Sequence, residues 1–343
     1  MGIKAIRLYF RFIVKAFSFL IVLLSVTAIW AHKIDPATNI GVHYIIFFLP
    51  LMGVINGSLF IWWLARKKVI AILPLIGLFL NLSFIPLSAK STQRVNYFKD
   101  SHFAVMSYNV HYFSQGGTSN LPLIASLITS YNADVVTLQE VQPHPLFSLD
   151  EIKREFNKYP YSHIHVGDHL EIGMALFSKY PIISAEKIKF EDSGNGVILA
   201  DILFRGDTIR IINVHLQTTG LSGIKRINAK NIINSLGGNL IKRSGQAKYL
   251  RELIDKTKYP LIICGDFNDV PQSFTYHTII GADLTDSFKK AGSGIGGTFS
   301  KTMGLLRIDY IFHSKHFKSM EFKLDKSKFS DHRAIFSLLE YQN

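Results

Sequence analysis

Three short segments hold the side chains best suited to chemistry. They are Gly265-Asp266-Phe267-Asn268-Asp269, Arg307-Ile308-Asp309-Tyr310-Ile311 and Ser330-Asp331-His332-Arg333. Each sets an Asp, Asn or His at the end of a run with strand character. Strand ends let a rigid sheet aim polar groups into one cleft. Carboxylates, an amide and an imidazole are the parts needed for metal-assisted attack of water on a phosphate ester.

Earlier segments supply more of the same kind. Met106-Ser107-Tyr108-Asn109-Val110, Leu138-Gln139-Glu140 and Asn213-Val214-His215-Leu216 each end an apolar run on a polar group. Glu140 and Asp331 are hard oxygen donors suited to Mg²⁺, which takes one or two carboxylates and keeps several waters. Asn109 can reach the same ion through its carbonyl. His332 as an imidazolium would donate to a phosphate gaining negative charge. Asp309 would orient that ring and keep it protonated. Asp266 is the candidate base for the attacking water, and Asn268, two residues on, a phosphate ligand on the same face. His215 shares a face with Asn213 by period two and is the second imidazole donor. Taken singly, Glu140 reads as a surface carboxylate and each His as a hydrogen-bonded structural residue. Taken together they read as one site. A nucleophile elbow, a phosphate-binding Gly-x-x-x-x-Gly-Lys loop and a Cys-rich zinc pattern are all missing from the sequence.

These segments, with Phe177-Ser178-Lys179-Tyr180-Pro181-Ile182 among them, resemble in type and order the endonuclease/exonuclease/phosphatase family, the deoxyribonuclease I-like metallophosphoesterases. The resemblance covers about residues 102–343. It implies a four-layer α/β sandwich of two mixed, largely antiparallel sheets flanked by helices. It implies the same residue roles and a Mg²⁺ cofactor, with Mn²⁺ or Ca²⁺ as substitutes. It also implies a Glu ahead of the Ser-x-Tyr-Pro-Ile strand that pairs with the first His; Glu171 stands in that register.

The elements that must position these groups are legible in outline. Strands are expected at Phe103–Val110, Asp134–Glu140, Glu171–Phe177, Val197–Phe204, Asp207–His215, Leu261–Cys264, Arg307–Phe312 and Ala334–Leu339. Helices are expected at Leu121–Tyr131, Leu149–Asn157 and Ala247–Lys256. Many strands and few helices predict a layered α/β sandwich with substantial antiparallel pairing. The single cysteine, Cys264, excludes an internal disulfide and reads as a buried, inert thiol.

The N-terminal part is of another kind. Apolar stretches at about 12–31, 40–64 and 69–88 predict three transmembrane helices in a membrane anchor over residues 1–88. Residues 89–101 read as a linker and 102–343 as the catalytic domain. Lys4, Arg7, Arg11 and Lys15, and then Arg66, Lys67 and Lys68, mark the cytoplasmic flanks. Three spans starting inside would leave the catalytic domain extracytoplasmic. Residues 1–88 carry eight Lys and Arg against one acid, so about half of the net charge of +13 is a topology signal. The total therefore does not argue for nucleic-acid binding.

The rest of the charge is uneven. Residues 208–251 hold eight basic residues, Lys242 and Arg243 among them, and no Asp or Glu. With Arg307 these are candidate substrate contacts, forming a rim for a polyanion such as nucleic acid or anionic lipid. Ile224, Ile227, Ile232, Ile233 and Leu236 also allow an interfacial helix here. The Gly-rich loop 292–299 ends in Thr298-Phe299, which would border the cleft. The expected activity is a membrane-anchored phosphodiesterase, nuclease-like, with a phospholipid or inositol-phosphate phosphoesterase as the alternative. A third reading is a tethered binding protein that has lost the chemistry.

Overall fold

In a computed structural model of the chain, residues 2–82, 84–89, 100–115, 117–167, 171–191, 193–220, 228–302 and 304–342 are described. The linker assigned to 89–101 lies largely outside them, as do Lys225 and Arg226. The chain divides into two compact units. One is residues 1–85, 220–244 and 271–277; the other is the remainder.

The second unit is built on two six-stranded sheets. In chain order the strands are β1 (His102–Asn109), β2 (Val135–Gln139), β3 (Tyr161–His165), β4 (Met174–Ser178), β5 (Ile182–Lys189), β6 (Gly196–Phe204), β7 (Asp207–His215), β8 (Leu261–Asp266), β9 (Thr285–Asp286), β10 (Asp309–His313), β11 (Phe317–Leu324) and β12 (Ile335–Tyr341). One sheet runs β11-β12-β1-β2-β4-β3, the other β9-β10-β8-β7-β6-β5. Each is antiparallel except for one central parallel pair, β1 with β2 and β7 with β8.

Alternation along β1 shows why both its faces are buried. Phe103 and Val105 point between the sheets, where they meet Ile198, Ile202, Ile211 and Ile262. Ala104, Met106 and Tyr108 point the other way, onto helices Leu121–Tyr131 and Leu149–Glu155. Period two therefore places two distinct apolar cores on either side of one sheet. Cys264 is fully buried between the sheets, as expected. The observed architecture is two mixed sheets flanked by helices, in agreement with the sandwich expected from sequence.

A polar bridge crosses the inter-sheet core near its functional end. Gln139 Nε2 donates to Asn213 Oδ1 at 2.7 Å, and Asn213 Nδ2 lies 3.0 Å from the carbonyl oxygens of Leu138 and Ala175. Burying such amides is costly unless they are paired, and of the four amide atoms in the bridge Gln139 Oε1 alone has no partner.

The first unit corrects the three-span expectation. Helix α1 (Gly2–Trp30) is long and apolar enough to cross a bilayer. The second stretch is broken into α2 (Ile40–Ile46) and α3 (Leu49–Ala65), bent by 60° at Phe47–Phe48. Pro50 lies in the first turn of α3, where a helix can start but not continue through. The third stretch yields a short apolar helix, Val69–Leu82. At 1.5 Å per residue it spans about 20 Å, short of the roughly 30 Å hydrocarbon layer. Leu87 and Ser88, counted in that span, instead form a short strand paired with Ser293–Ile295.

The interior of the first unit combines apolar residues such as Ile21, Leu49, Met52 and Trp63 with a polar cluster. Ser25, Asn56 and Asn81 are buried and joined, with Asn56 Nδ2 donating to Asn81 Oδ1 at 2.8 Å and to Ser25 Oγ at 3.3 Å. Phe12, Leu23, Val54, Ile61 and Phe79 are exposed.

Candidate active site

The two parallel pairs end at the same kind of edge, and the polar residues follow from that. β1 ends on Asn109, in register with Gln139, and Glu140 comes next. β7 ends on His215, in register with Asp266 at the end of β8. Asp266 is paired in turn with Asp309, the first residue of β10. Gly265 is required beside it: its φ is +140°, and a Cβ would meet the Val214 carbonyl oxygen at 2.0 Å.

Asn109 joins the two sets. Its Nδ2 donates to Glu140 Oε1 at 2.9 Å and to Asp266 Oδ2 at 3.0 Å. Its Oδ1 accepts from the His111 N–H at 3.1 Å, which fixes the orientation of the amide. Ser330 Oγ donates to the Asn109 carbonyl at 2.8 Å and draws the 330–332 segment in.

The two histidines have opposite electrostatics. His215 is fully buried, and burial brings it down to about 4 against the pull of Glu140, so it is neutral at pH 7. Asn195, next to the Gly196 that pairs with His215, directs Nδ2 at His215 Nδ1 at 3.2 Å. An amide donor at Nδ1 leaves the ring proton on Nε2. That Nε2 has no hydrogen-bond partner and faces Glu140 Oε1 at 3.6 Å and Asp266 Oδ2 at 3.7 Å. For His332, burial acts downward but Asp309 and Asp266 outweigh it, raising the ring to about 10. Its Nδ1 lies 3.0 Å from Asp309 Oδ2 and its Nε2 3.6 Å from Asp266 Oδ2.

The carboxylates divide likewise. Burial pushes Asp266 up to about 7, with His332 opposing and Asp309 adding to the rise. Burial also acts upward on Glu140, but the His111 hydrogen bond, His215 and the Asn109 amide bring it to about 2. Asp331 holds Lys301 Nζ at 2.7 Å. Among the described residues, the ligand atoms of Asp266, Asp309 and His332 lie within 4.8 Å of one another. Within that trio His332 Nδ1 is hydrogen-bonded to Asp309, while its Nε2 faces Asp266 at 3.6 Å. The oxygen donors left for a hard cation are those of Glu140 and Asp331, which suit Mg²⁺ or Mn²⁺; Asn109, expected to reach the ion through its carbonyl, instead turns Nδ2 to Glu140 and Asp266 and Oδ1 to the His111 N–H. The unpartnered, buried His215 N–H beside them is the kind of donor a bound anion would satisfy.

Asn268 reaches this region by another route than simple alternation. The strand stops at Asp266, and Asn268 takes a left-handed backbone, φ 52°. Its N–H donates to Asp266 Oδ1 at 2.8 Å and its Nδ2 to the Leu216 carbonyl at 3.0 Å.

Four sequence-derived expectations are corrected here. Glu171 does not pair with His215. It lies 2.8 Å from His165 Nε2 and 3.0 Å from Lys189 Nζ, and Asn195 takes the place beside His215. Arg307 is buried, forked onto Asp286 at 3.0 and 2.6 Å and held between the Phe288 and Tyr310 rings, so it is structural. Lys242 and Arg243 lie on the long helix Ala229–Asp255 and group with the first unit, and Arg243 is buried. The acid-free stretch is also partly neutralised from outside it, as Arg210 pairs with Asp201 and Arg251 with Asp255 and Asp283.

The sequence reading missed His111, Asn195 and Lys301. His111 directly follows the Asn109-Val110 signal and was within reach; the others sit on loops with no pattern. Phe299 does border the site, its ring 5.3 Å edge-on from that of His332.

Comparison with known proteins agrees with this layout. Over 236 residues the chain is 27% identical to the uncharacterized protein YbhP of Escherichia coli K12, covering 61% of this chain and 84% of that one. An endonuclease/exonuclease/phosphatase from Beutenbergia cavernae superposes with a TM-score of 0.56 at 18% identity, covering 71% of this chain and 72% of that one. D. rerio TDP2 complexed with a single-strand DNA product superposes at 0.54 and 18% identity, covering 70% and 99%. The family model for the endonuclease/exonuclease/phosphatase family matches residues 106–332, from the strand that carries Asn109 through His332 itself. With two mixed sheets, the strand-end polar residues and that match in hand, the chain belongs to the Endonuclease/Exonuclease/phosphatase family.

Proposed function

We propose that the chain is a divalent-metal-dependent phosphodiesterase that hydrolyses P–O bonds by in-line attack of water. The observation that carries this reading is Asp266 set between His332 and His215, with Nε2 of each ring 3.6 and 3.7 Å from its Oδ2.

A cation held by the Glu140 and Asp331 oxygens would supply Lewis-acid polarisation of the phosphoryl group. Asp266 orients the water and takes its proton as the new O–P bond forms and the P–O bond to the leaving alcohol breaks. A carboxyl titrating near 7 is matched to that task at neutral pH. His332 donates from Nε2 to the phosphoryl oxygen that gains charge, and Asp309 keeps that ring protonated. His215 donates its Nε2–H without carrying charge. Asn268 contributes a further phosphate contact.

Nuclease-like action on nucleic acid is the leading substrate reading, supported by the likeness to TDP2 with its DNA product. A phospholipid or inositol phosphate is the second, favoured by the apolar helix α1 and by the burial of Arg243 and Arg307, which removes two rim cations. The decisive assay is a panel of phosphate esters with Mg²⁺, Mn²⁺ or EDTA. Intact plasmid DNA alongside a cleaved lipid phosphate would overturn the nuclease reading. Turnover indifferent to EDTA would overturn the metal requirement.

We further propose that α1 anchors the chain in a membrane, basic end inside, with the catalytic unit extracytoplasmic. The buried Ser25–Asn56–Asn81 cluster beneath an apolar exterior supports helix packing within lipid. A single span preserves the orientation argued from three, because both numbers are odd. A reporter fused after residue 343 that works in the cytoplasm would overturn it.

A further inference from the structure

We infer that His111 supplies a nitrogen ligand to the cation held by Glu140 and Asp331, which makes the centre selective for a first-row transition ion over Mg²⁺. This rests on the metal-dependent reading above.

The geometry points to it. His111 Nδ1 lies 3.3 Å from Glu140 Oε2 and 3.7 Å from Asp331 Oδ1. Adjacent donors on one octahedral cation, each near 2.1 Å from it, are about 3 Å apart. Nδ1 thus stands from both carboxylates at nearly the spacing of ligands that share an ion. The His215 Nε2–H, buried and without a partner, lies 3.6 Å from the same Glu140 carboxylate.

The backbone is shaped to hold the ring there. His111, Tyr112 and Phe113 all have positive φ, at 46°, 57° and 49°, and Glu140 has φ 58°. Three consecutive left-handed L-residues are rare and need outside support. Tyr112 N–H donates to the Glu140 carbonyl at 2.9 Å, which ties the turn to the residue whose carboxylate the ring faces. Phe113 is buried against Phe147 and anchors the far end of the turn. His111 N–H meanwhile holds the Asn109 amide. One residue therefore fixes the Asn109 amide through its backbone and presents a ring nitrogen beside two carboxylates.

A hydrogen-bonded imidazole bridging the carboxylates would have the same spacing. The two cases differ once a cation arrives, because a bridge is expelled and a ligand stays bonded. Imidazole suits the transition ions, whereas Mg²⁺ prefers oxygen.

The test uses the full chain with Mn²⁺ alone as probe. Pulsed electron paramagnetic resonance is expected to show ¹⁴N modulation from a directly bound imidazole. The modulation is expected to vanish in His111→Asn, a residue that tolerates the left-handed backbone. Mn²⁺ affinity should fall about tenfold or more in that variant, and Mg²⁺ affinity by less than about threefold. Bound Mn²⁺ without ¹⁴N modulation, or with modulation that persists in His111→Asn, overturns the ligand. The metal centre itself then still stands if Glu140→Gln and Asp331→Asn each weaken Mn²⁺ binding. Mn²⁺ affinity indifferent to both of those variants overturns the metal centre, and the ligand with it.

Discussion

His215 and His332 direct Nε2 at the same oxygen, Asp266 Oδ2, from 3.7 and 3.6 Å, yet one ring is neutral and the other charged. Burial acts downward on both rings, and only at His332 do nearby carboxylates, Asp309 and Asp266 foremost, outweigh it. Asn195 offers His215 an uncharged donor, and Asp309 offers His332 a carboxylate. Two chemically identical side chains thereby become two different donors.

Removing either central group should abolish turnover without unfolding the chain. His332→Ala and Asp266→Asn are each expected to lower kcat by about 10²-fold or more. Steady-state kinetics on the cleaved ester, with circular dichroism as the folding control, provide the check. Wild-type kcat in both variants would remove the proposed mechanism.

The pH dependence of stability has a definite sign. His332 titrates near 10 when folded and near 6.5 when unfolded, so the folded chain keeps the proton longer. Its stabilisation is complete below about 6.5 and is lost as pH rises through about 10. Thermal unfolding in EDTA should show Tm falling across that window, and His332→Asn should flatten the fall.

The partner of His215 can be settled by a pair of variants. Asn195→Leu removes the donor to Nδ1 and frees the other tautomer, and a loss of about tenfold or more in kcat is expected. Glu171→Gln should leave kcat within about twofold, because Glu171 bonds His165 and Lys189 instead. The reverse ranking would restore Glu171 as the partner.

Arg307 should behave as a structural residue. Arg307→Ala leaves Asp286 buried without its fork and is expected to cost about 3–5 kcal/mol. Denaturant unfolding measures that loss. A changed KM at unchanged stability would instead return Arg307 to the substrate.

The inter-sheet amide has its own signature. Asn213→Ala leaves Gln139 Nε2 with Ser107 Oγ alone and removes a donor from the Leu138 and Ala175 carbonyls, for an expected loss of about 1–3 kcal/mol. The Mn²⁺ site should still form, since Asn213 touches none of its donors.

The strands that carry the site were legible because alternation or apolar runs marked them and a polar residue closed each one. β7 was read at its observed bounds, and β1 within one residue at each end. Four of the twelve strands were not read, β3, β5, β9 and β11, which are the edges of the two sheets. β3, with its sequence Tyr-Ser-His-Ile-His, and β11, with lysines at 318 and 323, are both edge strands, where polar residues are favoured and the pattern fades. The long helix Ala229–Asp255 was read only from residue 247, because Gly237, Gly238, Gly245 and several Asn and Ser depress local helix propensity. Loop-borne partners such as Asn195 and Lys301 depend on where the chain returns in space, which spacing does not encode. The membrane expectation counted apolar residues and overlooked Pro50, which lies in the first turn of α3 next to the bend in the second stretch.

The Asn109 amide is the only direct hydrogen bond described between the carboxylate at the end of β2 and the one at the end of β8. Each sheet contributes donors that cannot act without those of the other. The amide therefore works as a coincidence detector for folding. A chain with one sheet formed and the other loose holds separate carboxylates and imidazoles but no hydrolytic centre. On the proposed mechanism, hydrolysis would therefore require the two sheets to have closed on each other.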